Sequence, residues 1–436
     1  MTNTRISRTA RRRTGLLAVA SLSLVSSLLL AGCSPAEEPA PTDGDIELTF
    51  LNQSRGQEAA LTQLAEQYTD ETGVEVTIDS PGPADYLPKL QARAQSKDMP
   101  DIYSSFAATD MAPFYKAGWA MDLTDELDGG WNEDFSPAII EMSTFTKDNN
   151  LGVKPGIYTV HWETQTYGFL INPALTSIEP DDAPTTTEDF IEALQVSNDR
   201  VGNFSLAASL TPQLIQGLAS NWLTDEEIAA TFNGEESWDQ DGWHNAFQLL
   251  VDLKDAGVIA NGTLPGGQDD NPTVESSFFT QGVGAIFDAS PGVSVGLRTN
   301  PEFEDYFSIG LPAADDGKLD PRSPGIPGKG AVINPRGEHP EAALEFVKWL
   351  TKPEQQAVFA EVGRILPSNP ELLASGDVPQ QLTGFAAGVD SVQVMSATFT
   401  PDVKTAIVAE AQRLVLGEAT VDEALTNIQA AQDRTP

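Results

Sequence analysis

Ile46-Glu47-Leu48-Thr49-Phe50-Leu51 alternates polar and apolar residues and is rich in strand formers, which predicts a first strand. From Gln57 to Thr72, Leu61, Leu64, Ala65 and Tyr68 recur at helical spacing and Gly73 supplies a stop. Val74-Glu75-Val76-Thr77-Ile78 reads as a second strand. A second helix carries Tyr86, Leu87, Leu90 and Ala94 on one stripe, and Pro100-Asp101-Ile102-Tyr103 opens a third strand. A β-α-β-α-β order requires crossover helices, so the fold class is α/β, with open, mostly parallel sheets flanked by helices.

The alternation resumes after about residue 166. Phe169-Leu170-Ile171, Ser205-Leu206-Ala207, Ala285-Ile286-Phe287 and Phe307-Ser308-Ile309-Gly310 read as strands. Glu188 to Val196, Trp243 to Ala256, His339 to Leu350, Thr398 to Leu416 and Val421 to Ala431 read as helices. No repeat at a solenoid period interrupts this pattern.

Residues 1–32 have the layout of an export signal. Arg5, Arg8, Arg11, Arg12 and Arg13 precede an uncharged, mostly apolar run from Leu16 to Leu30, and a run of that length is short for a membrane span. It ends in Leu30-Ala31-Gly32-Cys33, where small residues before a cysteine resemble the bacterial lipobox. Cys33 is then the lipidated N-terminus, and residues 33–44, rich in Pro and acid, form a flexible tether. Cys33 is also the only cysteine, so no disulfide within the chain and no thiolate metal site is possible. Removing residues 1–32 takes five arginines and no acid, leaving 64 acids against 20 bases, a net charge of −44. So acidic a body repels nucleic acid and anionic lipid. A body of roughly 390 residues exceeds what one core usually supports, so two lobes are expected.

Several segments in order resemble the extracellular solute-binding proteins of sugar importers, the family that includes maltose-binding protein. Tyr86-Leu87-Pro88-Lys89-Leu90 with Pro100-Asp101-Ile102, and Gly118-Trp119-Ala120-Met121-Asp122-Leu123, carry the first part of the likeness. Gly156-Ile157-Tyr158-Thr159-Val160 followed by Gly168-Phe169-Leu170-Ile171-Asn172 is similar to the family's crossover, and Pro184-Thr185-Thr186-Thr187-Glu188-Asp189-Phe190 to the start of the second lobe's first helix. Phe279 to Phe287, Pro340 to Phe346 and Gly363-Arg364-Ile365-Leu366-Pro367 continue it. The chain departs at His161, where the crossover usually has Pro, at Ile171, which replaces an aromatic, and at Val283-Gly284. The resemblance implies a two-lobe, type II periplasmic-binding-protein fold with three hinge crossovers, near residues 160–168, 285–291 and 327–332. Residues 45–164 and 288–330 would form one lobe and residues 165–287 and 331–436 the other. It also implies a lipid-anchored, exported monomer on the outer face of the cytoplasmic membrane, which captures a mono- or oligosaccharide by hinge closure and passes it to ABC permease subunits.

In open α/β sheets, ligands gather at the carboxyl ends of strands. That rule nominates Asn52, Gln53 and Arg55 after the first strand and Ser104, Ser105 and Asp110 after the third; the crossovers add His161, Trp162, Glu163, Asp288, Ser290 and Pro291. Sugars present C–H faces and hydroxyl rims, which suit aromatic planes beside carboxylate, amide and guanidinium groups. Trp162 either stacks on ligand or packs the hinge, and Glu163 either binds or is a solvated charge. Tyr86 and Trp222 divide between ligand stacking and core, and Arg364 between the cleft and an ion pair within one lobe.

His161, His244 and His339 are too scattered for a zinc site, so no metal is expected. No nucleophile elbow or phosphate loop appears, and Gly325 to Gly330 is better read as a hinge or loop. No cofactor is indicated and no acid pair stands out as catalytic. A binding protein for a polyamine or other small solute, and a lipid-tethered carbohydrate-active enzyme, are the competing readings.

Overall fold

The computed structural model describes residues 46–434, apart from 54–55, 106–107, 148, 150, 197–202, 261–262, 264–269 and 394–399. The export signal, Cys33, the tether and Arg55 therefore lie outside the described residues. The opening run becomes β1 (Glu47–Leu51), which is followed by helix Glu58–Thr72, β2 (Glu75–Asp79), helix Pro83–Ser96 and β3 (Ile102–Ser105). Gly73 ends the first helix at φ 80°, and its N–H donates to the Thr69 carbonyl at 2.8 Å. A side chain disfavours that left-handed conformation, which explains the glycine.

Later strands are β4 (Thr144–Phe145), β5 (Gly156–Ile157), β6 (Val160–His161), β7 (Thr164–Ile171), β8 (Phe204–Leu206), β9 (Ala285–Ala289), β10 (Phe307–Ile309), β11 (Gly325–Pro327) and β12 (Gly330–Ile333). They form one sheet in the order β2-β1-β3-β12-β6 and another in the order β10-β7-β9-β8, with β11 also on β7. The short β4 and β5 pair with each other.

Each sheet has its own apolar packing. Leu48 and Phe50 of the first sheet meet Leu61, Phe346, Leu350 and Phe359, while Leu51 and Tyr103 meet Tyr86 and Leu90. In the second sheet, Phe169 and Phe287 pack against Phe190, Phe204 and Trp243 on one face. Leu170 and Ile286, one residue out of step, pack against Phe278, Phe279 and Phe385 on the other. Helices cover both faces of this sheet, so its strands are continuously apolar where a half-exposed strand would alternate.

Two expectations are corrected here. The strands are parallel only in part. β1 is parallel to both β2 and β3, but β12 runs antiparallel to β3 and β6. In the second sheet only β8 and β9 are parallel, and β7 is antiparallel to β9, β10 and β11. The reason is that β7 and β12 enter their sheets straight from the other half, with no crossover helix to turn them.

The division of the chain also differs from expectation. Of residues 288–330, those up to Pro327 do not join the first sheet: β10 pairs with β7, and Val293 of helix Gly292–Thr299 packs with Leu170 and Ile286. Residues 331–436 do not all join the second: β12 pairs with β3, and helices Pro340–Leu350 and Pro353–Gly363 pack on Leu48 and Phe50. Residues 285–291 do not cross between sheets. After β9 the chain turns at Ser290-Pro291 and its next helix folds back on the same sheet. The third crossing lies instead between Ile365, packed with the first sheet, and Leu366, packed with the second.

Candidate functional site

Three short segments carry the chain between the sheets: Trp162-Glu163 between β6 and β7, Gly328-Lys329 between β11 and β12, and Ile365-Leu366-Pro367. They lie side by side. His161 opposes Gly330 and Thr164 opposes Pro327. Between those pairs the Glu163 N–H donates to the Lys329 carbonyl at 3.3 Å and the Gly328 N–H to the Glu163 carbonyl at 2.9 Å. On the other edge, Thr164 N–H donates to the Leu366 carbonyl at 2.9 Å and Ser368 N–H to the Trp162 carbonyl at 3.1 Å. The joint is thus a hydrogen-bonded ribbon running through both sheets. Its tightness demands glycine: a Cβ on Gly330 would stand 2.3 Å from the Val160 carbonyl oxygen and 2.8 Å from His161 Nδ1.

The carboxyl end of β3 meets this ribbon, Ser105 opposing Gly330, and polar groups link it to the ends of β1 and β2. Ser104 Oγ donates to Asn52 Oδ1 at 3.0 Å and accepts from the Gln53 N–H at 3.2 Å. Asn52 Nδ2 donates to Ser80 Oγ at 3.1 Å, and the Tyr86 hydroxyl donates to the Ser104 carbonyl at 2.6 Å. Ser105 Oγ lies 3.3 Å from the Tyr115 hydroxyl. Lys329 Nζ donates to Gln53 Oε1, tying the row to the second crossing. Glu163 Oε2 accepts from the Lys329 N–H at 2.8 Å. Asn52, Ser104, Ser105, Glu163 and Lys329 are all buried, so each needs such partners to offset desolvation.

His161 is buried beside them. Its Nδ1 donates to the Gly328 carbonyl at 2.8 Å, an assignment that follows because a carbonyl can only accept. Burial lowers its pKa to about 4, opposed by that same hydrogen bond. The ring is neutral at neutral pH.

The nominated residues therefore fall into separate groups. Asn52, Gln53, Ser104, Ser105, His161 and Glu163 lie at the joint or at the strand ends beside it, whereas Tyr86, on helix Pro83–Ser96, is fully buried in the core with Leu51, Leu90 and Tyr103. Trp162 is no ligand platform. It is fully buried, stacked on Phe359 at 5.3 Å and 8° between planes, edge-on to Phe50, with Nε1 donating to Gln57 Oε1 at 3.3 Å. Asp288 is turned onto its own turn: Oδ1 accepts from the Ala289 N–H at 2.8 Å and from Asn271 Nδ2 at 3.3 Å. Ser290 bonds the Thr166 and Thr164 carbonyls through its N–H and Oγ, and Pro291 precedes helix Gly292–Thr299. Asp110 is exposed on helix Ala108–Lys116. Trp222 is half-buried on the turn after helix Thr211–Ala219, and its Nε1 has no partner among the described residues. Arg364 pairs with Glu304 at 3.6 Å, bridging the third crossing and the loop before β10.

Sequence reading missed Lys329, Gln57 and Tyr115. Lys329 had a signal, a single cation between two glycines in a stretch read as hinge. Gln57 and Tyr115 had none, being polar groups on helical stripes. A groove of about 400 Å³ between helix Glu58–Thr72 and β2, lined by Glu66, Asp70, Glu75 and Val76 among others, lies along the outer edge of the first sheet, away from these polar groups.

Residues 52–357 match the bacterial extracellular solute-binding protein family. The chain belongs to that family. No curated protein matches its sequence. Among solved structures, the cyclic α-maltosyl-1,6-maltose binding protein of Arthrobacter globiformis is 20% identical, with a TM-score of 0.63 over 88% of this chain and 97% of that one. The maltose/maltodextrin-binding domain MalE of Bdellovibrio bacteriovorus, bound to maltotriose, is 17% identical, with a TM-score of 0.60 over 89% and 99%. A "probable secreted solute-binding lipoprotein" of Streptomyces coelicolor is 16% identical, with a TM-score of 0.67 over 89% and 99%. At these identities the likeness is one of fold, and this solute-binding protein shares with them the two-lobe, type II architecture. No helix among the described residues is long and apolar enough to cross a membrane.

Proposed function

We propose that this solute-binding protein captures a mono- or oligosaccharide between its two halves and delivers it to the permease subunits of an ABC importer, catalysing no reaction on it. The observation that carries the reading is the joint. Two separately packed sheets communicate through three short, paired crossings, and the strand ends beside them are lined with amides, hydroxyls, a carboxylate and an ammonium. That geometry suits hinge closure over a solute, and those groups suit a rim of hydroxyls. The sugar-binding proteins of the same fold named above support a carbohydrate over other solutes. Asn52, Gln53, Ser104, Ser105 and Glu163 are the proposed polar contacts, with Lys329 added. Trp222, whose indole N–H has no partner among the described residues, is the proposed aromatic contact in place of Trp162.

Cys33, acylated after cleavage at Gly32, would hold a monomer on the outer face of the cytoplasmic membrane, with residues 33–44 as its tether. Isothermal titration of the purified protein against malto-, xylo-, chito- and raffinose-type oligosaccharides and their monosaccharides tests the assignment, with putrescine as the cationic comparison. Saturable heat with at least one saccharide and none with putrescine is expected. Heat with putrescine alone would overturn the carbohydrate assignment.

A further inference from the structure

The two halves also touch beside the joint, at a seam the polar row does not include. Gly56, beyond the carboxyl end of β1, faces Ser294 in the first turn after β9. A Cβ on Gly56 would stand 2.7 Å from Ser294 Cβ and 2.8 Å from the Ser294 carbonyl oxygen. Gly56 is at φ +107°, so a side chain there meets backbone strain as well as a neighbour. The approach is braced on both sides. The Gly56 N–H donates to the Glu58 carboxylate at 3.0 Å, and Ser294 Oγ donates to the Arg364 carbonyl at 3.4 Å. Arg364 itself ends helix Pro353–Gly363 at φ 52°, and its guanidinium reaches Glu304 across the halves.

We infer that this seam sets how closely the halves approach, with Gly56 as the stop, and that it tunes solute affinity through residues that do not touch the solute. Magnitudes assign the roles. Arg364 is 22% exposed and Glu304 69%, and so exposed a pair contributes little free energy; it orients the seam. A Cβ at Gly56 would overlap Ser294 at under 3 Å, so the bare backbone of Gly56 decides the distance. Both residues follow strand carboxyl ends, so the seam lies on the side where closure over a solute occurs. A side chain at Gly56, or one larger than serine at position 294, holds the halves apart there.

The inference rests on the binding reading for its effect on affinity, but its direct test needs no ligand. Nitroxide labels on cysteines introduced at the exposed Glu66 and Asp252, one on each half, in a full chain carrying Cys33→Ser, report the separation by pulsed dipolar spectroscopy. Gly56→Ala and Ser294→Leu are each expected to lengthen the main distance. Ser294 sits in a helix of ordinary φ, so its variant keeps the test valid if the glycine variant does not fold. An unchanged distance in a folded Ser294→Leu overturns the inference. Where a saccharide binds the unsubstituted chain, both wedges should weaken it at least tenfold. A lengthened distance with no saccharide bound by any version leaves the seam standing and removes the carbohydrate reading instead.

Discussion

Trp162→Ala separates a core residue from a binding residue. The indole lies fully buried between Phe359, Phe50 and Gln57, and truncating a buried aromatic to alanine costs about 3–5 kcal/mol. The change also strips Gln57 Oε1 of its donor, a loss of about 1–3 kcal/mol in a buried setting. The two losses share one site and do not add in full, so about 4–5 kcal/mol is expected against a total stability of about 5–15 kcal/mol. Trp162→Phe keeps a ring against Phe359 and loses chiefly the hydrogen bond, so about 1–2 kcal/mol is expected. Urea unfolding followed by far-ultraviolet circular dichroism measures both. The affinity of Trp162→Phe for any saccharide that binds should stay within about threefold of the unsubstituted protein, under 1 kcal/mol. A Trp162→Ala protein that unfolds at the unsubstituted midpoint yet loses binding a hundredfold would refute the placement of this side chain.

Two further outcomes follow from the joint and its neighbour. His161 stays neutral in the folded protein down to about pH 4, whereas in the unfolded chain it takes a proton near pH 6.5. Stability is therefore full above pH 6.5 and falls as pH drops from 6.5 towards 4, by about 3 kcal/mol from this residue. His161→Gln should flatten that window in the difference between the two proteins' urea midpoints at pH 7, 5.5 and 4.5, and parallel curves would show that the ring is not the source. Arg322 donates to Asp225 Oδ1 at 2.9 Å, to the Ser220 carbonyl at 3.3 Å and to the Leu223 carbonyl at 2.7 Å, pinning the segment that leads into β11. Arg322→Met should cost about 2 kcal/mol, read from the denaturation midpoint; a midpoint within error of the unsubstituted protein counts against that role.

The local sequence determined the elements. Alternation in Ile46–Leu51 and Val74–Ile78, the helical stripe of Leu61, Leu64, Ala65 and Tyr68, and the stop at Gly73 all reappear in place, because strand and helix periods are written within a few neighbouring residues. The likeness of motifs in order carried the family and the two-lobe plan. Partnership was decided only in three dimensions. Gly330 pairs with His161 and Leu366 with Thr164, residues far apart in the chain that no local period can match. That is why β10 and β12 went to the sheets opposite to expectation, and why the third crossing fell at residues 365–367 and not at 285–291. The same limit governed the site. A tryptophan beside a glutamate in a crossover has the composition of a sugar contact, but whether its ring faces a cleft or a core depends on what packs behind it, and here Phe359 and Phe50 had already enclosed it.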